Sequence, residues 1–394
     1  MVSTDHGGPN HSKINLEHAY PELVQSRKAV PDLIQFHGME FDAPAAGHTS
    51  LIIPHSKHEH RTLYAIERRF ASREVFPRDK KRDREEFMLE ALNYMQDIRR
   101  PPILIANHPS RGINAIGDYE DKHPEELRNW NDTAPNVAVG MEGAPGHQAS
   151  TLNVDGSIDS TAVRPYNNFT LGGFDKMTAI LGGFWDSMLG EGRRWWVTAT
   201  SDSHVNWRDG GNDFWPGEYS KTYVYAEKTY DDILDGIREG RVFVTTGDLI
   251  SELYVTAATE KASAPIGGTL PAYDSADVEV TIKVRAPEYP NHHGDHRQLA
   301  RVDLIAGDIT GPSLVRTLDV NLSTRVVKRF TPDDWKEEDG YLTMTYTLEG
   351  VHHSGYLRVR GTNTNELEPK IDHTGEDPWT DLWFYSNPVF IEVK

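Results

Sequence analysis

The chain of 394 residues contains no cysteine. Disulfides, thiolate nucleophiles and cysteine-based zinc sites are excluded, and the redox character of the compartment is left open. No stretch approaches about 20 consecutive apolar residues, so neither a transmembrane helix nor a membrane partner is expected. Cations are in the minority, 41 Lys and Arg against 60 Asp and Glu, for a formal net charge of −19. Nucleic-acid binders rely on cations to displace counterions from phosphates, so no nucleic-acid partner is expected either. The one basic run, 78–84 (RDKKRDR), is broken by two aspartates and followed by Glu85 and Glu86. It reads as the solvated start of a helix. Also missing are a G-x-S-x-G elbow, a P-loop and a G-x-G-x-x-G turn, and with them the common nucleophile and nucleotide signatures. Three N-x-S/T sequons, at Asn131, Asn168 and Asn321, are too common by chance to indicate secretion.

What is present is aromatic bulk, nine Trp, sixteen Tyr and thirteen Phe, enough to build folded cores in two domains. From 1 to about 250, short apolar runs alternate with helical stretches. Strand candidates are 33–36 (LIQF), 50–53 (SLII), 103–106 (ILIA), 137–140 (VAVG) and 196–199 (WVTA). Between them, 85–98 places Phe87, Leu89, Leu92 and Met95 on an approximate helical stripe, and 231–239 opens on two acids and closes at Gly240. Strands alternating with helices imply parallel pairing and an α/β barrel or layered sheet. After about Gly247 strands dominate, at 253–257, 278–284, 300–306, 341–348, 356–360 and 389–393. Period-2 alternation is clear in Val278, Val280, Ile282 and Val284, so 251–394 is expected to be an antiparallel β-sandwich-like domain following an α/β domain over 1–250.

In an α/β fold the residues that follow the strands converge on one face. Here they are Asp5-His6, then His37-Gly38-Met39-Glu40, Gly47-His48, Asn107-His108-Pro109 and Ser201-Asp202-Ser203-His204. Five places end in His, Glu or Asp, which suit divalent zinc, manganese or iron. Taken together they point to a polynuclear metal site. Arg111 is a candidate for an anionic substrate oxygen, and Glu142 and His147 are candidates for lining the pocket. Trp207 and Arg208 are candidates for its wall. Three other histidine groups are expected in solvent: His55, His58 and His60, then His292, His293 and His296, then His352 and His353 at a hairpin turn. The aromatic segment 379–385 is expected to pack in a core.

Thr4-Asp5-His6, Gly38-Met39-Glu40, Gly47-His48, Asn107-His108-Pro109 and Ser201-Asp202-Ser203-His204 resemble the ordered motifs of the PHP (polymerase and histidinol phosphatase) superfamily. The tail, 377–388 (DPWTDLWFYSNP), and 231–246 with Gly247 are similar to its CehA/McbA branch of carbaryl-hydrolase-like metallohydrolases. The resemblance implies a distorted β/α barrel with up to three metals at the strand ends. By it, Glu40 would bridge two metals, and His48 with His108 would complete one protein shell. Asp202 would bind another ion, and His6 with His204 the third. The family's first strand carries a His-x-His pair ahead of Thr-Asp-His, and this chain has none, Thr4 being three residues from Met1. Fewer than three ions and a start cut short are the expectation, a natural remnant the alternative; a preceding segment would also decide between cytoplasm and export.

The implied chemistry is hydrolysis by water that a metal activates, its pKa lowered toward about 7. Phosphate esters suit such a site because cations offset charge on the equatorial oxygens. Carboxylic esters or carbamates suit it through a stabilised oxyanion. Asp202, or a histidine such as His204, would carry the proton to the leaving group. The expected partner is a small-molecule ester, with phosphoester hydrolysis first, ester or carbamate hydrolysis second and a non-catalytic binding remnant third. The β domain is free to cover the barrel mouth, form a homo-oligomer or bind a carbohydrate or partner.

Overall fold

The apolar run at 33–36 does not form a strand of its own. In the computed structural model, which describes residues 1–110, 122–149, 169–203, 214–373 and 375–394, the strand begins at Phe36 and continues through the motif to Ala43. The chain packs as two compact units, each assembled from separate segments.

The first unit comprises Met1–Pro109, Glu120–Met141 and Tyr225–Arg238. Its strands are Val2–Ser3 (β1), Phe36–Ala43 (β2), Gly47–Ile53 (β3), Ile103–Ala106 (β4) and the first half of Ala138–Pro145 (β5), hydrogen-bonded in that order. The expectation of parallel pairing throughout is corrected here. β1 runs parallel to β2 and β4 parallel to β5, but β3 is antiparallel to both of its neighbours. Only residues 44–46 separate β2 from β3, far too few for the crossover that a parallel pair needs. Positive φ at Ala45 (64°) and Gly47 (67°) closes this tight turn.

All eight residues of β2 are buried, which removes the alternation that marks a half-exposed strand. The helix Glu85–Gln96 forms where expected, but its buried stripe is Met88, Ala91, Leu92 and Met95, with Phe87 and Leu89 only half-buried. These four fall at i, i+3, i+4 and i+7, the spacing of one helical face.

The second unit comprises Ser110–Tyr119, Glu142–Val224 and Glu239–Lys394. Trp196–Thr200 (β6) lies beside the distal half of β5, where a Cβ on Gly143 would come within 3.0 Å of Val197 Cβ. Ser220–Val224 (β7) and Val242–Thr246 (β8) pair with each other, and β8 pairs with Trp383–Ser386 (β18). The same sheet contains Thr269–Ala272 (β11), Arg301–Asp308 (β13), Arg325–Phe330 (β14), Gly355–Thr362 (β17) and Val389–Val393 (β19). A separate sheet has the order Ser263–Pro265 (β10), Glu252–Ala258 (β9), Ala276–Arg285 (β12), Tyr341–Val351 (β16), Lys336–Glu338 (β15). The change of sequence pattern near 250 falls inside this unit, and β7 and β8 precede it.

In β12 the expected alternation is present, with Val278, Val280, Ile282 and Val284 buried and Glu279 and Lys283 exposed. Trp379, Trp383, Phe384 and Tyr385 are buried, as expected of core packing. Among the described residues no helix follows Arg238. The chain is therefore a mixed α/β protein with several β-sheets.

Candidate metal centre

Strand register assembles the candidate site within the first unit. His6 forms a parallel bridge with Glu40, and the Glu40 N–H donates to Asp5 O at 2.9 Å. Because side chains alternate along a strand, Glu40 and Asp42 of β2 share one face. The hairpin register sets His48 directly across from Asp42 and Ser50 across from Glu40. Asn107, after β4, ties these strands together. Its Oδ1 accepts from Ser50 N–H (2.9 Å) and Oγ (2.8 Å), and its Nδ2 donates to Glu40 Oε1 at 3.2 Å. The next residue, His108, is buried and sits at φ 31°, a conformation non-glycine residues rarely adopt and one associated with functional sites.

Two overlapping ligand sets result: His6, Asp42 and His48, and Glu40, His48 and His108. In each, the donor atoms lie within 4.8 Å of one another. His48 Nδ1 is 3.2 Å and His108 Nε2 3.7 Å from Glu40 Oε1, while His48 Nε2 is 3.7 Å from Asp42 Oδ1. Burial raises the Glu40 carboxyl, but hydrogen bonds from His108 and His48 outweigh it and hold the group well below the usual carboxylate range.

Three features fit a cation between His6, Asp42 and His48. First, His6 Nε2 and His48 Nε2 face each other at 2.9 Å. His6 Nδ1 donates to Gly7 O at 2.8 Å and His48 Nδ1 to Glu40, so in neutral rings both Nε2 atoms present lone pairs. A proton or a metal ion between them removes that repulsion. An outer hydrogen bond from each Nδ1 is the usual arrangement around a metal-binding histidine. Second, Asp42 is 1% exposed, and neither carboxylate oxygen has a hydrogen-bond partner. Its nearest cation, Arg73, is 3.5 Å away through Nε. Burial is the main cause of the raised Asp42 carboxyl, with Arg73, His6 and His48 opposing it. Third, a Cβ on Gly7 would stand 2.5 Å from Asp42 Oδ2, so only glycine lets the segment after His6 pass this close. A buried carboxylate that no donor satisfies is costly unless a cation neutralises it.

The remaining expected residues belong to the second unit or lie outside the described residues. Asp202 follows β6 at φ 46° and is half-buried. Glu142 is buried and accepts a hydrogen bond from Thr200 Oγ1. His147 is half-buried in the short helix Gly146–Ala149. Arg111, His204, Trp207 and Arg208 lie outside the described residues. The resemblance couples His6 with His204; among the described residues His6 stands with Asp42 and His48.

Asp42 is the residue that sequence reasoning missed. Its signal was present in the i, i+2 step from Glu40 and in the short turn before Gly47, which together place it opposite His48. Of the discounted histidines, His58, His292, His293, His296, His352 and His353 are exposed as expected. His55 and His60 correct that expectation. Both are half-buried, His55 bonded to buried Glu59 at 2.9 Å and His60 stacked on Tyr20.

No protein-family model and no curated protein matches the chain.

Proposed function

We propose that this protein is a metal-dependent hydrolase of PHP type, with a barrel-like first domain and a sandwich-like second. The observation that carries the reading is Asp42, a buried carboxylate without hydrogen bonds set between two imidazoles whose Nε2 atoms face each other. Zinc, manganese or iron suits this mixed nitrogen and oxygen donor set. When bound there, a divalent ion would supply a water of lowered pKa, toward about 7, and polarisation of an ester oxygen.

The chain's own residues supply the rest. His6, Asp42 and His48 provide ligand atoms, Glu40 orients His48 through Nδ1, and His108 completes the overlapping set with Glu40 and His48. Asn107 holds Glu40 against β3 and so positions the whole set. His6 is exposed and leaves the site open to solvent. Arg73, whose side chain is 43% exposed, spends only Nε on Asp42 and keeps its terminal nitrogens uncommitted among the described residues. A guanidinium beside the ligand set suits an anionic substrate group. That favours a small phosphate ester as substrate over a neutral carboxylic ester or carbamate.

The test is turnover of aryl phosphate and of aryl ester or carbamate by chelator-treated protein reloaded with Zn²⁺ or Mn²⁺, with bound metal measured in parallel. Metal uptake and metal-dependent turnover, both lost in His108→Ala and in Asp42→Ala, are expected. A protein that takes up neither ion, or a His108→Ala variant with unchanged turnover, would overturn the reading.

A further inference from the structure

Within the second unit, the outer face of the sheet β10-β9-β12-β16-β15 holds a depression of about 350 Å³. Tyr254, Thr256, Thr281, Lys283 and Tyr341 line it. Strand register explains why they meet. Side chains alternate along a strand, so burying Val255, Ile282 and Val284 on the inner face turns their neighbours outward. The β9–β12 register then sets Tyr254 beside Lys283, Thr256 beside Thr281 and Glu252 beside Arg285, and β16 sets Thr343 on the other side of Lys283.

The aromatic wall is held in advance of any ligand. Glu252 Oε2 accepts from the Tyr341 hydroxyl at 2.6 Å and from the Tyr254 hydroxyl at 3.1 Å, while its Oε1 pairs with Arg285 at 2.9 Å. The Arg285 guanidinium also lies over the Tyr341 ring, 4.0 Å from its centre. The two tyrosine rings meet edge to face, 6.0 Å apart. One carboxylate thus fixes both phenols and neutralises the arginine, which lowers the cost of ordering the wall on binding. Tyr254 still stays 44% exposed. Lys283 is exposed, and no carboxylate stands within ion-pairing distance of it among the described residues. Thr343 Oγ1, on the neighbouring strand, is buried without a hydrogen-bond partner. Single exposed aromatics are ordinary on a protein surface. Two tyrosines tied to one carboxylate beside a cavity and an uncompensated lysine form a built site.

We propose that this depression binds one acidic sugar ring, a uronate unit of a saccharide. A pyranose presents C–H bonds on its face and hydroxyls round its rim. The exposed Tyr254 ring suits the face, and the Thr256 and Thr281 hydroxyls, each both donor and acceptor, suit the rim. The Lys283 ammonium takes the carboxylate in a charge-assisted hydrogen bond. A wholly apolar ligand would leave the lysine and the threonines without partners. A phosphate group would favour an arginine fork, and Arg285 is already spent on Glu252. The volume lies at the lower end of the range for ligand pockets, about 300–1,000 Å³, which suits a single ring. None of these residues belongs to the His6, Asp42 and His48 set, so the two readings stand or fall separately.

The experiment titrates the full chain with methyl glucuronide, with methyl glucoside and acetate in parallel, by calorimetry and saturation-transfer NMR. One glucuronide per chain is expected, bound at least about tenfold more tightly than the glucoside through one charge-assisted hydrogen bond. Tyr254→Ala should abolish binding, and Lys283→Met should bring the glucuronide down to the level of the glucoside. Both side chains are exposed, so both variants should fold, which circular dichroism checks, and metal-dependent turnover should be unchanged in each. Acetate binding as tightly as the glucuronide would reveal a simple anion site and overturn the proposal. So would a glucoside that binds as well as the glucuronide, a glucuronide that does not bind, or binding unaltered in both variants.

Discussion

Both units pair buried acids with arginine, Glu59 with Arg27 and Glu74 with Arg68 in the first, but the first also holds a buried carboxylate that is treated differently. In the second, Asp186 receives Arg358 in two parallel hydrogen bonds of 2.8 and 2.7 Å, and Tyr356 adds a third at 3.0 Å. Asp303 likewise accepts from Arg301 at 3.0 Å and Arg360 at 3.1 Å, and Arg360 also forks onto Glu368. In the first, Asp42 is equally buried yet has no hydrogen bond, and imidazoles crowd beside it. Guanidinium is always charged and matches carboxylate geometry, so arginine neutralises an acid permanently. Imidazole binds a proton or a metal reversibly. Saturated carboxylates mark scaffold; an unsatisfied one among histidines marks a place where something else binds.

This contrast can be broken by experiment. Asp186→Ala strands a fully buried arginine and should cost about 3–5 kcal/mol in denaturant unfolding. A loss below about 1 kcal/mol would show that the arginine relaxes to solvent and that the second unit's ion pairs are not scaffold.

The first unit should instead respond to pH. His37 is buried, and desolvation, opposed by Glu59 and reinforced by Arg27 and His60, lowers its pKa to about 4. Tyr20 packs against it at 4.9 Å. The unfolded chain, with His37 near about 6.5, binds more protons between pH 4 and 6.5, so stability is full above that window and falls as pH drops through it. The loss should reach about 3 kcal/mol. Hydrogen exchange should place it in the first unit, and His37→Gln should flatten the slope relative to wild type.

Asp42→Asn sharpens the comparison further. Metal-free protein should be no less stable than wild type, since a desolvated charge is removed. Zinc affinity should fall by more than the roughly 10- to 100-fold that losing an outer-sphere partner costs, since Asp42 is proposed as a ligand itself; calorimetric titration reads both sides. Smallest of all is Arg78→Ala, which breaks an exposed 2.5 Å pair with Asp83 and should change stability by less than about 1 kcal/mol.

Legibility in the sequence follows the same physical lines. β12 announced itself because one of its faces is buried and the other wet, which writes period 2 into the residues. The helix at Glu85–Gln96 was equally visible, though its buried face is turned, with Met88 and Ala91 fully buried and Phe87 and Leu89 only half-buried. β2 was misplaced because a strand buried on both faces has no alternation to read. The β2–β3 hairpin was missed with it, and Asp42 along with the hairpin. Histidine and glutamate after apolar runs drew attention to Glu40, His48 and His108 through their chemistry alone.

Composition and local pattern determined a great deal: the exclusion of cysteine chemistry, the helices at Glu85–Gln96 and Tyr230–Arg238, the alternating strand Ala276–Arg285 and the residue types able to hold a metal. Those are properties of a residue and its near neighbours, and the chain writes them directly. Which carboxylate stands opposite which imidazole was decided by the register of β2 against β3. That β7 and β8 join strands more than a hundred residues later was decided by pairing across the chain. Such choices depend on contacts between segments remote in sequence, and only folding brings them together.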